Sequence, residues 1–196
     1  MNASINKFPD HLDGEFISLL KMGEEDTSRT YKWRTSKVAE HLNQPVGYSL
    51  DMQKRWILSR PDTEINYIIH RRDTQEAIGM IAILDLNWDD MVGSVGRLLL
   101  DEKYVRKGTP YGLEALLITY RYVFKELNFR KITGVVLARN KKVVELQKYL
   151  GMEEEGYLTR HVLLNGQEED EVILSLFKED FVRYNAMIAS ILYKYR

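Results

Sequence analysis

The chain predicts an α/β fold of the α+β kind: a mixed, mostly antiparallel central sheet flanked by helices. Three observations predict it. Runs of alternating and β-branched residues gather in two blocks, one before and one after the middle of the chain, each broken by short polar turns. Helical periodicity of three and four falls between them. Helices and strands alternate only in the centre, which argues against a doubly wound parallel sheet.

In order, EFISLLK (Glu15 to Lys21) reads as a strand. EEDTSRTYKWRTSKVAEHLNQP is helical in composition and ends before Pro45, which cannot extend a helix. Ser49 caps a short helix that stops at Pro61. EINYIIHRRDTQEAIGMIAILDL gives two strands about a turn at Arg72-Asp73-Thr74. GSVGRLLLD is a further strand, whose glycines mark a bulge or a close backbone approach. From Tyr111 to Leu127 an apolar stripe at helical spacing runs through Leu113, Leu116, Leu117, Tyr120, Val123, Phe124 and Leu127. KITGVVLA is nearly continuous in apolar residues, as in a strand buried on both faces. NKKVVELQKYLG is a helix with Asn140 as N-cap and Gly151 as terminator. The next segment is a hairpin turning at Asn165-Gly166. FVRYNAMIASILYKYR is a last amphipathic helix. It packs on the body or, if its apolar stripe lies open, makes a homodimer contact.

The 196 residues suffice for one domain with a substantial core. We expect one domain over 1–196, with a core at 15–181 and the C-terminal helix at 182–196. A net charge of −1 gives no electrostatic argument for a nucleic-acid partner. With no cysteine, disulfides, thiol catalysis and cysteine metal sites are excluded, which fits a reducing compartment. The four histidines are scattered without ligand spacing, so no metal is expected. No apolar stretch approaches the length of a membrane span, and the first residues lack a secretory apolar region. These features lead us to expect a soluble, cytoplasmic protein with no membrane partner.

VRKGTPYGLEALL (Val105 to Leu117) carries the chemistry. Arg106, Lys107, Gly108 and Gly112 sit where a helix begins. A helix N-terminus exposes unpaired N–H groups and positive dipole, which suits an anion, and glycine lets backbone approach a ligand. The same residues also make an ordinary connecting loop.

The order of elements, this loop at 106–112 and ARNKKVVELQKYLGMEEEG together resemble the GNAT superfamily of N-acetyltransferases, over about residues 15–181. YKWRTSKVAEHL, RRDTQEAIGMIAI and GYLTRHVLLNGQEEDEVILSL look most like one branch of it. That branch holds ribosomal-protein N-terminal, spermidine and nucleotide-linked amino-sugar acetyltransferases. The resemblance implies a V-shaped split between GRLLLD and KITGVVLA that takes acetyl-CoA, with the loop after the first strand on the pyrophosphate. It assigns the co-substrate to Leu99, Leu100, Arg106, Lys107, Gly108, Thr109, Tyr111, Gly112, Asn140 and Gln147.

Two departures from the family pattern stand out. Aligned backwards from Glu114-Ala115, the family loop starts at Lys107, ends at Gly112 and has Pro110 where its first glycine stands. Proline removes one donor N–H. A longer alignment uses Arg106 and Gly108 instead. Where the family often has a tyrosine that protonates the leaving thiolate, this chain has Gln147, an amide that cannot act as an acid. Tyr149 lies about 200° further round the helix and is expected to pack.

The resemblance implies acetyl transfer to a primary amine, with a backbone N–H of Leu99 or Leu100 polarising the thioester oxygen. Asp85, His70 and His161 are candidates for the base that removes the ammonium proton; each also has an ordinary structural reading. On the acceptor side, Trp33 offers a stacking face, and Arg34 and Arg160 offer forks for phosphate or carboxylate, with His70 beside them. Such a set suits a nucleotide-linked amino sugar. The alternatives are a protein N-terminus or a polyamine, for which NWDDM and EEDTS supply acid, and a module that binds CoA without catalysis.

Overall fold

The computed structural model describes residues 8–40, 47–105 and 110–195. Eight strands form one sheet: β1 (His11–Asp13), β2 (Ile17–Lys21), β3 (Ile65–Arg71), β4 (Ala77–Asn87), β5 (Val92–Leu100), β6 (Lys131–Leu137), β7 (Glu153–Leu164) and β8 (Gln167–Phe177). Their spatial order is β1-β2-β3-β4-β5-β6-β8-β7, and only β5 and β6 run parallel. Among the described residues six α-helices accompany them: α1 (Thr27–Arg34), α2 (Leu50–Leu58), the single turn α3 (Glu102–Val105), α4 (Tyr111–Arg121), α5 (Lys141–Tyr149) and α6 (Lys178–Tyr193).

The two faces of the sheet carry separate cores. On one, α4, α5 and α6 bury Ala115, Leu116, Val144, Phe181 and Ile188 against Ile17, Ile81, Val95 and Ile132. On the other, Trp33 and Ala39 close over Ile68, Met80 and Leu99. Glu114 fixes the start of α4. Its buried carboxylate accepts the N–H groups of Glu15 (2.5 Å), Phe16 (2.9 Å) and Ile17 (3.0 Å). Burial pushes this carboxyl above its ordinary range, against the pull of those three donors.

Several expectations are corrected. α1 ends at Arg34 instead of running on toward Pro45, because Thr35 and Ser36 turn their hydroxyls onto the carbonyls of Tyr31 and Trp33. The regular part of α4 stops at Arg121 and continues as a π-helical turn over Tyr122–Glu126. α6 begins at Lys178, so the expected boundary at 181/182 falls inside the helix. β1 and α3 carry no periodicity that a sequence pattern registers. β6 is not buried on both faces: Val135 is 56% exposed, because α1 and α2 pack over the β4–β5 side and leave this part of the sheet open. The hairpin turn at Asn165-Gly166 forms with both residues at positive φ, 52° and 80°.

Candidate active site

β5 and β6 pair for only three residues. Val92, Gly93 and Ser94 lie opposite Lys131, Ile132 and Thr133. The last rung is joined by a hydrogen bond between the hydroxyls of Ser94 and Thr133 at 2.7 Å. Beyond it the strands part: Val95–Leu100 stay on β4, and Gly134–Leu137 stay on β8. The result is a wedge-shaped split in the middle of the sheet.

A β-bulge shapes one wall of this split. Met80 pairs with Leu99 and Ala82 with Gly96, so Arg97 and Leu98 together oppose Ile81. Arg97 sits at φ 54°. Beyond the bulge, Asp101 donates its N–H to Ile78 O at 2.8 Å. Alternation along a strand then turns the N–H of Leu99 toward β4 and that of Leu100 toward the split. Of the two expected donors, Leu100 is therefore the one that faces it, and Leu99 serves the ladder.

α4 starts beside the open end of β5, with Pro110 as its N-cap. A Cβ built on Gly112 would lie 3.5 Å from Leu100 Cδ1 and 3.7 Å from Leu98 Cδ2, both ordinary contacts. Tyr111 packs edge-on against Tyr104 at 5.8 Å, with the Arg71 guanidinium 5.8 Å from its ring. Arg106, Lys107, Gly108 and Thr109 lie outside the described residues.

α5 supplies the other wall. Gln147 is 6% exposed and lies over Gly134, its Oε1 3.0 Å from the position of a Cβ there. That Oε1 is buried and has no hydrogen-bond partner among the described residues. An orphaned buried acceptor costs about 1–3 kcal/mol, so its place at the split fits a ligand that donates to it. Asn140 occupies the N-cap position of α5 but makes no side-chain capping bond. Tyr149 is 53% exposed and does not pack.

The opposite face of the sheet holds an open groove of about 550 Å³ lined by Arg34, Tyr48, Met52, Arg55, Trp56, Ser59 and Arg60. Trp56 is its centre: the guanidinium carbons of Arg60, Arg34 and Arg97 lie 4.3, 4.4 and 5.0 Å from its ring. Among the described residues no carboxylate lines the groove. Burial, together with the neighbouring charges of Arg97 and Arg60, lowers the Arg34 guanidinium from its ordinary pKa. Burial likewise raises the Tyr48 phenol.

The remaining expected site residues lie apart from the split. Trp33 is 5% exposed and donates its indole N–H to Asp101 Oδ2 at 3.2 Å, so it is a core residue and offers no stacking face. Asp85 is exposed in a β4 bulge at φ 51°, level with the closed end of the split. His70 is two strands away, its Nδ1 3.1 Å from Gln75 O. Arg160 and His161 stand on the outermost strand, β7. Arg160 donates its backbone N–H to Asp170, and His161 Nδ1 lies 2.7 Å from Glu171 Oε2. Sequence reasoning missed Tyr48, Trp56, Arg60, Glu64 and Arg97. Arg60 lies two residues beyond the end of α2 and folds back onto Trp56, donating its Nε–H to the Trp56 carbonyl at 2.6 Å, which no sequence pattern signals.

A parallel pair that parts beyond three rungs, a bulge on one wall and a helix N-terminus at the open end define an acyl-CoA-dependent acyltransferase fold. Residues 17–153 match the family described as the acetyltransferase (GNAT) domain, and the chain belongs to that family. It is an acetyltransferase, and the GNAT fold uses acetyl-CoA. The chain is 25% identical over 134 residues to the SPbeta prophage-derived uncharacterized N-acetyltransferase YokL of Bacillus subtilis, covering 68% of this chain and 73% of that one. It is 30% identical over 82 residues to the [ribosomal protein uS5]-alanine N-acetyltransferase of Escherichia coli, covering 42% and 41%. Among solved structures, a GCN5-related N-acetyltransferase from Brucella melitensis superposes with a TM-score of 0.80 at 15% identity, covering 94% and 87%. Spermidine N-acetyltransferase from Vibrio cholerae, in complex with CoA and spermine, does so with a TM-score of 0.76 at 17% identity, covering 86% and 99%. Both likenesses concern the fold.

Proposed function

We propose that the protein moves an acetyl group from acetyl-CoA to the primary amine of a nucleotide-linked amino sugar, by direct attack with both substrates bound. Acetyl-CoA supplies an activated thioester. The split holds it: Tyr111, Gly112 and the loop of Arg106, Lys107, Gly108 and Thr109 take the phosphates, while Asn140 and Gln147 meet the pantetheine arm. The N–H of Leu100 faces the thioester and stabilises negative charge that develops on its oxygen. Gln147 has no proton to give, so the leaving thiolate takes its proton from water. Asp85, His70 and His161 all lie apart from the split, so the proton of the attacking ammonium passes to solvent water.

The acceptor assignment is carried by the groove. Three arginines, with no carboxylate in the lining among the described residues, suit a diphosphate, and they repel a polycation. Arg34 and Arg60 line the groove, and in this reading they contact the diphosphate. The test is thiol release from acetyl-CoA with nucleotide-linked amino sugars, the same sugars without the nucleotide, spermidine and short peptides. Rapid turnover of one nucleotide-linked sugar, lost without its nucleotide, is expected. Turnover of spermidine alone would overturn the acceptor assignment. A protein N-terminus is the second reading, favoured by the 30% identity to the ribosomal-protein alanine acetyltransferase, and turnover of peptides alone would establish it.

A further inference from the structure

We propose that Glu64 is a positioning residue for acetyl transfer: through Arg97 it holds the β5 bulge, and with it the backbone donors that line the split. The inference rests on the proposed use of the split by acetyl-CoA. A non-glycine residue in the left-handed region costs about 1–2 kcal/mol and persists only where its surroundings over-determine it. At Arg97 the surroundings do so through its side chain. Nη1 donates to Glu64 Oε1 at 2.8 Å and to Asn66 Oδ1 at 3.1 Å, and Nη2 to Glu64 Oε2 at 3.3 Å. The guanidinium also lies 5.0 Å from the Trp56 ring.

Glu64 is itself fixed. Its side chain is 7% exposed, and it accepts from Asn66 Nδ2 at 3.0 Å and Arg60 Nη1 at 3.3 Å. Asn66 is 5% exposed on β3. A forked carboxylate–guanidinium pair thus reaches from the entry of β3, across β4, to the backbone of β5. The clamp is not a general need of bulges: Asp85 and Arg160 hold similar φ, 51° and 50°, at exposed positions. What sets the Arg97 bulge apart is its place on the wall of the split. The extra residue shifts the alternation of faces along β5, so that Leu99 packs toward Trp33 while Leu98 and Leu100 lie against the start of α4. Loosening Arg97 would let the bulge relax and swing the donors beyond it away from the thioester oxygen.

The test binds carbonyl-labelled acetyl-CoA, without acceptor, and reads the carbonyl carbon by NMR. Leaving out the acceptor keeps the loss of Arg60 from the groove out of the readout. In the native protein the carbonyl resonance should move downfield from its position in free acetyl-CoA, as a polarised carbonyl does. Glu64→Gln should lose most of that shift while acetyl-CoA affinity falls by no more than about threefold, since phosphate and pantetheine contacts carry binding. Glu64→Asp should recover part of it. If Glu64→Gln does not fold, Glu64→Gln with Arg97→Met removes both charges of the pair and should show the same loss. An unchanged shift in the variant overturns the inference and leaves the acetyltransferase reading intact. Failure of the native protein to bind acetyl-CoA overturns both.

Discussion

Two glycines and one amide separate what the chain needs for itself from what it holds for a ligand. A Cβ on Gly151 would fall 2.3 Å from the Tyr184 ring, and its φ is 95°. Gly151→Ala should therefore cost about 2 kcal/mol or more, read as a fall in the urea midpoint, with acetyl-CoA affinity of the folded fraction unchanged. Gly112 meets no such obstacle. Gly112→Ala should leave stability unchanged or raise it by up to about 1 kcal/mol, as alanine replaces glycine in a helix. Its acetyl-CoA affinity, measured by calorimetry, should fall about tenfold, a loss of about 1.4 kcal/mol, because the added methyl occupies ligand space. Gln147→Leu should behave in the same divided way. Removing a buried, unpartnered acceptor is neutral or stabilising, while pantetheine loses a hydrogen bond worth about 1 kcal/mol.

The elements owe their places to side chains that leave them and grip a neighbour. Glu114 ties α4 to β2, the Ser94–Thr133 pair sets where the split begins, and Glu64 ties β3 to β5. Glu64 also gives the fold an acid-sensitive point. Burial alone would raise its carboxyl, but hydrogen bonds and charge from Arg97, the Asn66 amide and the charge of Arg60 outweigh that and hold it below its ordinary value of 4.5. A carboxyl whose pKa is depressed in the folded state stabilises at pH above its unfolded value, and that stabilisation is lost as pH falls through the lower folded value. Glu64→Gln should thus be less stable than the native protein at neutral pH. The difference should shrink as pH drops below 4.5, which urea midpoints across that range would show. A gap that stays constant with pH would assign the loss to packing.

At the scale of the whole molecule, the sheet separates two chemistries. In the proposed reading the split and the N-terminus of α4 are the donor side and the arginine groove beside α2 the acceptor side; Arg97 has its backbone on the first and its guanidinium on the second. Arg60→Ala and Arg34→Ala should raise KM for a nucleotide-linked acceptor about tenfold or more, since each removes a charge-assisted contact. Acetyl-CoA affinity should change little. The acceptor KM should also rise with added salt, because the groove is partly open and screening reaches it. Equal losses toward both substrates would place the groove on the donor side.

Most of the element order, the apolar stripe of α4, the Ser49 cap and the Asn165-Gly166 turn were legible along the chain, because each depends on neighbours within a few residues. The glycines of GSVGRLLLD left a bulge and a close backbone approach both open, and the pairing with β4 shows the bulge at Arg97. Trp33 and Trp56 show where that reading stops. Both are tryptophans on short helices with an arginine close by in sequence. One is sealed against Met80 and Leu99, and the other is half-buried among guanidiniums, a difference set by how α1 and α2 dock on the sheet. Leu99 and Leu100 differ for a similar reason, since one extra residue in β5 fixes which N–H faces the split. The sequence by itself determined the class of fold and the segments that form the split. Only the tertiary structure decided which side chains face it, because burial and backbone direction depend on contacts such as Glu64 to Arg97 that join residues 33 positions apart.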